Sequence, residues 1–163
     1  MANKFFPVSI DLNNKNILVI GAGKIALRKV ETLMSYNCNI LIITKDILEE
    51  KFLELEKNNK IKILKNQEFE EKFLENIFLV IAATDNELLN KNISQLCINK
   101  NILVNNITSK DDMNVRFASI YEKDDIQIAI SANGNPKKAI EIKNKIKNFF
   151  EKWEKLGCCR LNK

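Results

Sequence analysis

The segment GAGKIA at residues 21–26, which directly follows the apolar run ILVI at residues 17–20, constrains the fold most strongly. It predicts a short buried strand, a glycine turn and a helix. Gly21 allows the tight turn, Gly23 leaves room for a phosphate, and Ala26 lets the helix pack close to the strand. Free N–H groups at the start of that helix attract an anion. The pattern therefore predicts a site for the diphosphate of a dinucleotide.

The following residues alternate short apolar runs with stretches whose apolar positions recur at helical spacing. Continuous apolar runs are typical of strands buried on both faces. This alternation predicts an α/β fold, a Rossmann-type parallel sheet with helices on both faces. The predicted strands are residues 16–20, 40–43, 61–63, 77–83 and 102–104. Four helices are predicted between or after them: the first starts at Lys24, the second contains Leu48, Phe52 and Leu55, the third covers 68–74, and the fourth contains Leu89, Ile93, Leu96 and Cys97.

The pattern changes after about residue 112. Residues 113–121 and 126–131 have strand character, and Asn135 and Pro136 suit the cap and first position of a long helix. We therefore predict a Rossmann domain at 1–112 and a small strand–helix unit for dimerisation and substrate covering at 113–163. The predicted apolar stripe of the long helix is Ile142, Ile146, Phe149 and Trp153, and the last residues, 157–163, are predicted to be a tail.

The composition excludes several kinds of chemistry. The chain has 163 residues and no histidine, so histidine bases, Ser-His or Cys-His nucleophiles and histidine-ligated metals are excluded. The net charge is +5, but the lysines are spread along the chain and interleaved with glutamates, which argues against nucleic acid as a partner. Without a signal peptide or an apolar run of about 20 residues, we expect no membrane association and a cytoplasmic location. Four cysteines, Cys38, Cys97, Cys158 and Cys159, lack metal-site spacing, so reduced thiols and no protein-bound metal are expected.

Ligands of such sheets bind at the carboxyl ends of the strands. Thr44, Lys45 and Asp46 follow the second predicted strand. Asp46 is a candidate for holding the adenosine ribose, and a helix cap is the alternative interpretation. Lys45 is a candidate for meeting a 2′-phosphate, so the choice between NAD and NADP stays open.

Two further strand ends carry polar residues. Thr84 and Asp85 follow the fourth predicted strand and are cofactor candidates, although Thr84 with Glu87 also has the spacing of a capping box. Asn105, its neighbour Asn106 and Thr108 follow the fifth strand and offer amide and hydroxyl groups to a substrate. A polar turn with Ser109 capping residues 110–112 is the alternative.

Several of these segments together resemble the precorrin-2 dehydrogenases, the dehydrogenase domains of siroheme synthases. The resemblance covers roughly residues 5–145. It is carried by Phe6-Pro7, Asp11-Leu12, residues 17–26, Arg28-Lys29, residues 81–86, Val104-Asn105 and residues 128–131. It implies an NAD-binding homodimer that oxidises precorrin-2, a tetrapyrrole, to sirohydrochlorin. Some family members also insert a metal ion, so weak chelatase activity is a further expectation.

The resemblance also implies roles for individual residues. Lys24 and Ile25 would line the cofactor at the glycine turn, as Lys45 and Asp46 would after the second strand. The aspartate that the family uses in catalysis falls on Thr108, which cannot ionise near neutral pH. Asp111 and Asp112 are substitute candidates.

Two alternatives to an active dehydrogenase follow. A catalytically impaired protein that binds NAD or a tetrapyrrole is the first, and a nucleotide-sensing Rossmann module is the second. The chain also ends soon after the predicted long helix, where family members continue with further helices.

Overall fold

The computed structural model describes residues 4–155, with side chains to Trp153. The chain divides into two compact units, one ending at Val115 and the other beginning at Arg116. The predicted division into functional domains at residue 112 remains a prediction.

The first unit contains a parallel sheet of five strands in the order β3-β2-β1-β4-β5. All its neighbouring strands pair in parallel. The strand order reverses between β1 and β4, and ligands of such sheets bind outside the carboxyl ends at this position. The predicted Rossmann-type class is confirmed. The strands are β1 Asn16–Ile20, β2 Asn39–Thr44, β3 Lys62–Lys65, β4 Leu79–Ala82 and β5 Leu103–Asn106.

Apolar side chains of the strands and helices form the core of this unit. Residues 17–19 of β1 are fully buried, because the sheet carries helices on its faces. The buried side of α1 consists of Ala26, Leu27, Val30 and Leu33, at the spacing that the sequence predicts. The helical segments are α1 Lys24–Leu33, α2 Lys51–Lys57, a short 3-10 helix Glu71–Leu74 and α3 Glu87–Asn99.

Three predicted elements of this unit are wrong in detail. Leu48 lies outside α2, because its N–H donates to the carbonyl of Ala22 at 3.2 Å in a loop that precedes the helix. The helix predicted at 68–74 is limited to the single 3-10 turn Glu71–Leu74. The strand predicted at 77–83 is shorter, because the paired register with β1 and β5 covers only Leu79–Ala82, although the N–H groups of Phe78 and Ala83 also donate to carbonyls of β1.

The second unit contains an antiparallel strand pair and one helix. These are β6 Ser119–Lys123, β7 Ile126–Ile130 and α4 Pro136–Lys155. The side-chain oxygen of Asn135 accepts from the N–H of Lys138 at 3.1 Å, which confirms the predicted cap of α4. The strand predicted from residue 113 is wrong before Ser119. Asn114 and Val115 both donate their N–H groups to the carbonyl of Val104, so the backbone bends where a strand would continue.

The apolar stripe of α4 differs from the prediction at one position. Phe149 is 62% exposed. Phe150 instead contacts Tyr121 of β6, with ring centroids 5.7 Å apart. The reason is the helical period, since Phe150 lies four residues after Ile146 and eight after Ile142 and therefore shares their face.

Among residues 4–155, no helix is long and apolar enough to cross a membrane. The predicted tail and two of the cysteines, Cys158 and Cys159, lie outside the described residues.

Candidate functional site

The glycine turn lies between the ends of β1 and β4. Gly21 has φ +105°, a backbone conformation that side chains rarely adopt, and its N–H donates to the Ile43 carbonyl at 2.8 Å. A Cβ at Gly21 would lie 2.4 Å from the Ala83 carbonyl oxygen. The predicted tight turn is therefore present, and it requires glycine because the β4 end occupies the side-chain position.

Gly23 lies two residues after Gly21 and has a different environment. A Cβ built there would meet only the Cδ1 of Leu48, at 3.8 Å. Gly23 is the N-cap of α1, has no side chain to cap the helix, and is followed by no acidic residue in the first turn. Lys24 and Ile25 follow it with exposed side chains. The space beside Gly23 at the start of α1 is thus open, and the first N–H groups of a helix attract an anion such as a diphosphate.

At the end of β2, a buried threonine and an exposed ion pair lie next to each other. The Thr44 hydroxyl donates to the Asp46 carbonyl at 2.6 Å. The Lys45 ammonium contacts the Glu68 carboxylate at 2.7 Å. The hydrogen bond to Glu68 raises the pKa of Lys45, and the charges of Glu68, Asp46 and Asp85 add to this effect. Asp46 is not a helix cap, because α2 begins only at Lys51 and Glu50 is its N-cap.

The end of β4 is tied to α3 through Asn90, which is completely buried. The Asn90 Oδ1 accepts from the N–H of Thr84 at 3.2 Å and from its hydroxyl at 2.7 Å. The Asn90 Nδ2 donates to the Thr84 carbonyl at 2.9 Å. The predicted capping box of Thr84 and Glu87 is wrong, because Asn86 caps α3 by accepting from the N–H of Leu89. Thr84 is half-buried.

The same network continues to the end of β5. The Thr108 hydroxyl accepts from Asn90 Nδ2 at 3.3 Å and donates to Asn106 Oδ1 at 2.8 Å. Asn106 Oδ1 also accepts from the N–H of Thr108 at 2.9 Å. Thr84, Asn90, Asn106 and Thr108 therefore form one connected hydrogen-bond network, which we call the strand-end network.

Asn105 points away from this network. Its Nδ2 donates to the Val115 carbonyl at 3.0 Å, so its amide holds the segment that follows β5. The Ser109 hydroxyl accepts from the N–H groups of Asp111 and Asp112 and donates to the Asp112 carboxylate at 2.9 Å. Ser109 thus closes a polar turn, as the alternative interpretation expected. This turn holds Asp112 and leaves Asp111 exposed.

Sequence reasoning did not identify Asn90 as part of the site. Its signal was present in the sequence, because Asn90 shares a helix face with Ile93, Ser94 and Cys97, all of them buried. A polar residue on the buried face of a helix needs hydrogen-bond partners there.

Among the described residues, no group of three or more cysteine, aspartate or glutamate side chains is placed to hold a metal ion.

The fold and the open glycine turn define a Rossmann-type domain built to bind a dinucleotide. Residues 8–119 match the family model described as "Putative NAD(P)-binding". The chain belongs to this NAD(P)-binding family. The family match confirms the predicted class of cofactor, which is a nicotinamide dinucleotide.

Known relatives agree with the resemblance seen in the sequence. The chain is 38% identical over 130 residues to the siroheme synthase of Mannheimia succiniciproducens and 35% identical over 130 residues to that of Buchnera aphidicola. Each match covers 80% of this chain and 27% of the relative, so the chain spans about a quarter of their length. The solved structure of SirC, precorrin-2 dehydrogenase, shares the fold with a TM-score of 0.76 at 23% identity, over 88% of this chain and 70% of that one. The resemblance to siroheme synthases that the sequence indicates is confirmed by these matches, and the match to SirC shows a shared fold.

Proposed function

We propose that this chain is an NAD-dependent dehydrogenase that oxidises precorrin-2 to sirohydrochlorin. The main support is the glycine turn at the point where the strand order reverses. Ala83 leaves no room for a side chain at Gly21, whereas the space beside Gly23 is open. The siroheme synthases and the precorrin-2 dehydrogenase that resemble the chain support the choice of substrate.

The residues around this turn have distinct roles in the proposal. The first N–H groups of α1, at Lys24 and Ile25, hold the cofactor diphosphate, and Gly23 allows its approach. Thr84 and Asp85 line the cofactor at the end of β4. When bound, NAD⁺ supplies the acceptor for the hydride that precorrin-2 loses. The chain positions the two reactants and keeps their reacting atoms aligned.

The accompanying proton leaves without help from Thr108. Its hydroxyl hydrogen is donated to Asn106, and an alcohol is too weakly basic to accept a proton near neutral pH. We propose that water or the carboxylates of Asp111 and Asp112 accept the proton. A general base contributes about 10²–10⁴-fold, so a dehydrogenase without one at position 108 is expected to be slow but active.

NAD is the preferred cofactor in this proposal. At the end of β2, the Lys45 ammonium is paired with Glu68 and lies within the electrostatic influence of Asp46 and Asp85, and the neighbouring Lys65 ammonium is paired with Glu56. A 2′-phosphate there would meet more negative than positive charge. Asp46 remains the candidate for the ribose hydroxyls, with Thr44 bracing the turn through the Asp46 carbonyl.

We further propose a homodimer in the cytoplasm. Residues 113–163 would serve as the dimerisation and substrate-covering unit. Phe149 of α4, which is exposed within the described chain, would be covered in the dimer. Sedimentation of wild type and Phe149→Glu tests this: the wild type should run at twice the monomer mass, and a monomeric wild type would refute it.

Incubation of the protein with precorrin-2 and NAD⁺ or NADP⁺ tests the main proposal. The absorption spectrum of sirohydrochlorin should develop with NAD⁺, and more slowly with NADP⁺. No product at high protein concentration would reject the proposal. Adding Fe²⁺ or Co²⁺ to sirohydrochlorin with and without protein tests the weak chelatase activity, which requires insertion faster than the spontaneous rate.

A second function is favoured by Thr108 itself, at the position where the family has aspartate. The chain would then bind NAD or a tetrapyrrole without catalysis. Thr108→Asp distinguishes the two functions. A gain of turnover from an undetectable level supports an impaired binding protein, and measurable wild-type turnover supports the dehydrogenase.

A further inference from the structure

The direction of every hydrogen bond in the strand-end network is determined by backbone groups. The N–H of Thr108 can only donate, so the Asn106 atom that it contacts must be the oxygen. The same argument applies to Asn90, whose Oδ1 accepts from the N–H of Thr84 and whose Nδ2 donates to the Thr84 carbonyl. Neither amide can be flipped without placing two donors or two acceptors against each other.

The fixed amides of Asn90 and Asn106 determine where the Thr108 hydroxyl donates and where it accepts; this is the polarity of the hydroxyl. Its one hydrogen points to Asn106 Oδ1 at 2.8 Å, because a carbonyl oxygen can only accept. One of its two lone pairs accepts from Asn90 Nδ2 at 3.3 Å. Thr108 is exposed, so one lone pair remains for a ligand. As long as this hydrogen bond to Asn106 is kept, the Thr108 hydroxyl meets any further partner as an acceptor.

Asn106 accepts the hydrogen of the Thr108 hydroxyl, but the amide nitrogen of Asn106 has no hydrogen-bond partner of its own. It is 2% exposed, and among the side chains described, at residues 4–153, its Nδ2 is the one buried nitrogen or oxygen without a hydrogen-bond partner. A buried orphaned donor in a native fold calls for an explanation. The two hydrogen bonds from Thr108 to Asn106 Oδ1 supply one, because they hold the amide in the orientation that leaves Nδ2 unpaired.

We propose that Thr108 accepts a hydrogen bond from an N–H group of the ligand at the ends of β4 and β5, and that Asn106 is the positioning residue that sets this polarity. The inference rests on the proposed function for the identity of the ligands. Two of them carry suitable N–H groups, the carboxamide of NAD⁺ and the central pyrroles of a metal-free tetrapyrrole. Thr108 thereby replaces an ionisable group with a neutral acceptor that discriminates ligands by their N–H groups.

The test measures binding, so it is independent of turnover. Wild type and Thr108→Val are titrated with NAD⁺ and its 3-acetylpyridine analogue, which lacks the amide N–H. They are also titrated with sirohydrochlorin and its cobalt complex, which lacks the pyrrole N–H. Loss of one hydrogen bond should weaken one N–H-bearing ligand about two- to tenfold and leave its matched analogue unchanged. Thr108→Ser should restore the affinity, and Thr32→Val, which removes an exposed hydroxyl from α1, is the matched control.

The role of Asn106 is tested by combining variants. Asn106→Leu should weaken the same ligand, with no additional loss when Thr108→Val is also present. Asn106→Asp retains an acceptor for both hydrogen bonds from Thr108 and should keep the affinity, which decides the question if Asn106→Leu does not fold.

Three results would overturn the inference. These are unchanged affinities in Thr108→Val, an equal loss for the analogues without N–H, or a loss from Asn106→Leu that adds to the loss from Thr108→Val in the double variant. If the protein binds these ligands as expected and yet forms no sirohydrochlorin, only the proposed function fails.

Discussion

Gly21 and Ala83 approach each other so closely that a Cβ on Gly21 would lie 2.4 Å from the Ala83 carbonyl oxygen. This contact joins the ends of β1 and β4, which are adjacent in the sheet. The Ala83 N–H also donates to the Ile20 carbonyl at 2.8 Å, so the backbone at this point has little freedom to move. The glycine turn is thus held against the ends of two paired strands.

Gly21→Ala is expected to destabilise the fold. The variant combines a positive φ with a steric overlap against backbone atoms, and the two together cost about 3 kcal/mol. Chemical denaturation should show this loss in the free energy of unfolding. A variant as stable as the wild type would show that the turn can rearrange.

Gly23→Ala is expected to affect binding while preserving the fold. Its φ of −93° suits any residue, and the added methyl group would meet only Leu48, at an ordinary contact distance. The methyl group would occupy the space in which a diphosphate approaches α1, so NAD⁺ affinity should fall at least about tenfold. Calorimetric titration measures the affinity, and an unchanged melting temperature is the control. Full affinity would place the diphosphate elsewhere.

Glu68→Gln is expected to improve the binding of NADP⁺ relative to NAD⁺. The variant releases the Lys45 ammonium from its ion pair and removes one negative charge near the end of β2. Because the pair is exposed, the ratio of the two affinities should change only about two- to fivefold. Glu70→Gln makes the same change in net charge at the pair with Lys72 and should leave the ratio unchanged. An equal effect of both variants would attribute the preference to net charge.

Lys29 is expected to make stability depend on pH. Burial, with the charge of Arg28 as a smaller cause, lowers the pKa of this largely buried amine from 10.5 to about 8. Between these values the unfolded chain binds a proton that the folded chain has released, so stability rises with pH. From pH 7 to 9.5 the gain from this group is about 2 kcal/mol.

Urea denaturation of Lys29→Met at these two pH values checks this expectation. The rise in the free energy of unfolding should be smaller than in the wild type by that amount. Lys62→Met, at an exposed position of β3, should retain the wild-type rise. The same rise in wild type and Lys29→Met would mean that the amine is protonated in the folded chain at pH 9.5.

Local patterns predicted the elements of the sheet well. Strand β1 was placed with its observed bounds, and Asn135 was correctly identified as the cap of α4, because both depend on residues close in sequence. The errors lie where distant residues compete for the same backbone group. Leu48 lies outside the predicted helix because its N–H donates to the Ala22 carbonyl. The strand predicted from residue 113 does not form before Ser119, because the N–H groups of Asn114 and Val115 donate to the carbonyl of Val104.

The amino-acid sequence by itself determined the alternation of strands and helices, the glycine turn and the family, because each depends on the type and spacing of neighbouring residues. Tertiary structure alone decided which polar groups meet at the strand ends. Asn90 reaches Thr84 and Thr108 only after α3 has packed on the sheet, and this packing fixes the direction of their hydrogen bonds. Burial restricts that choice, since each buried polar group without a partner costs about 1–3 kcal/mol, and in this network only Asn106 Nδ2 is left without one.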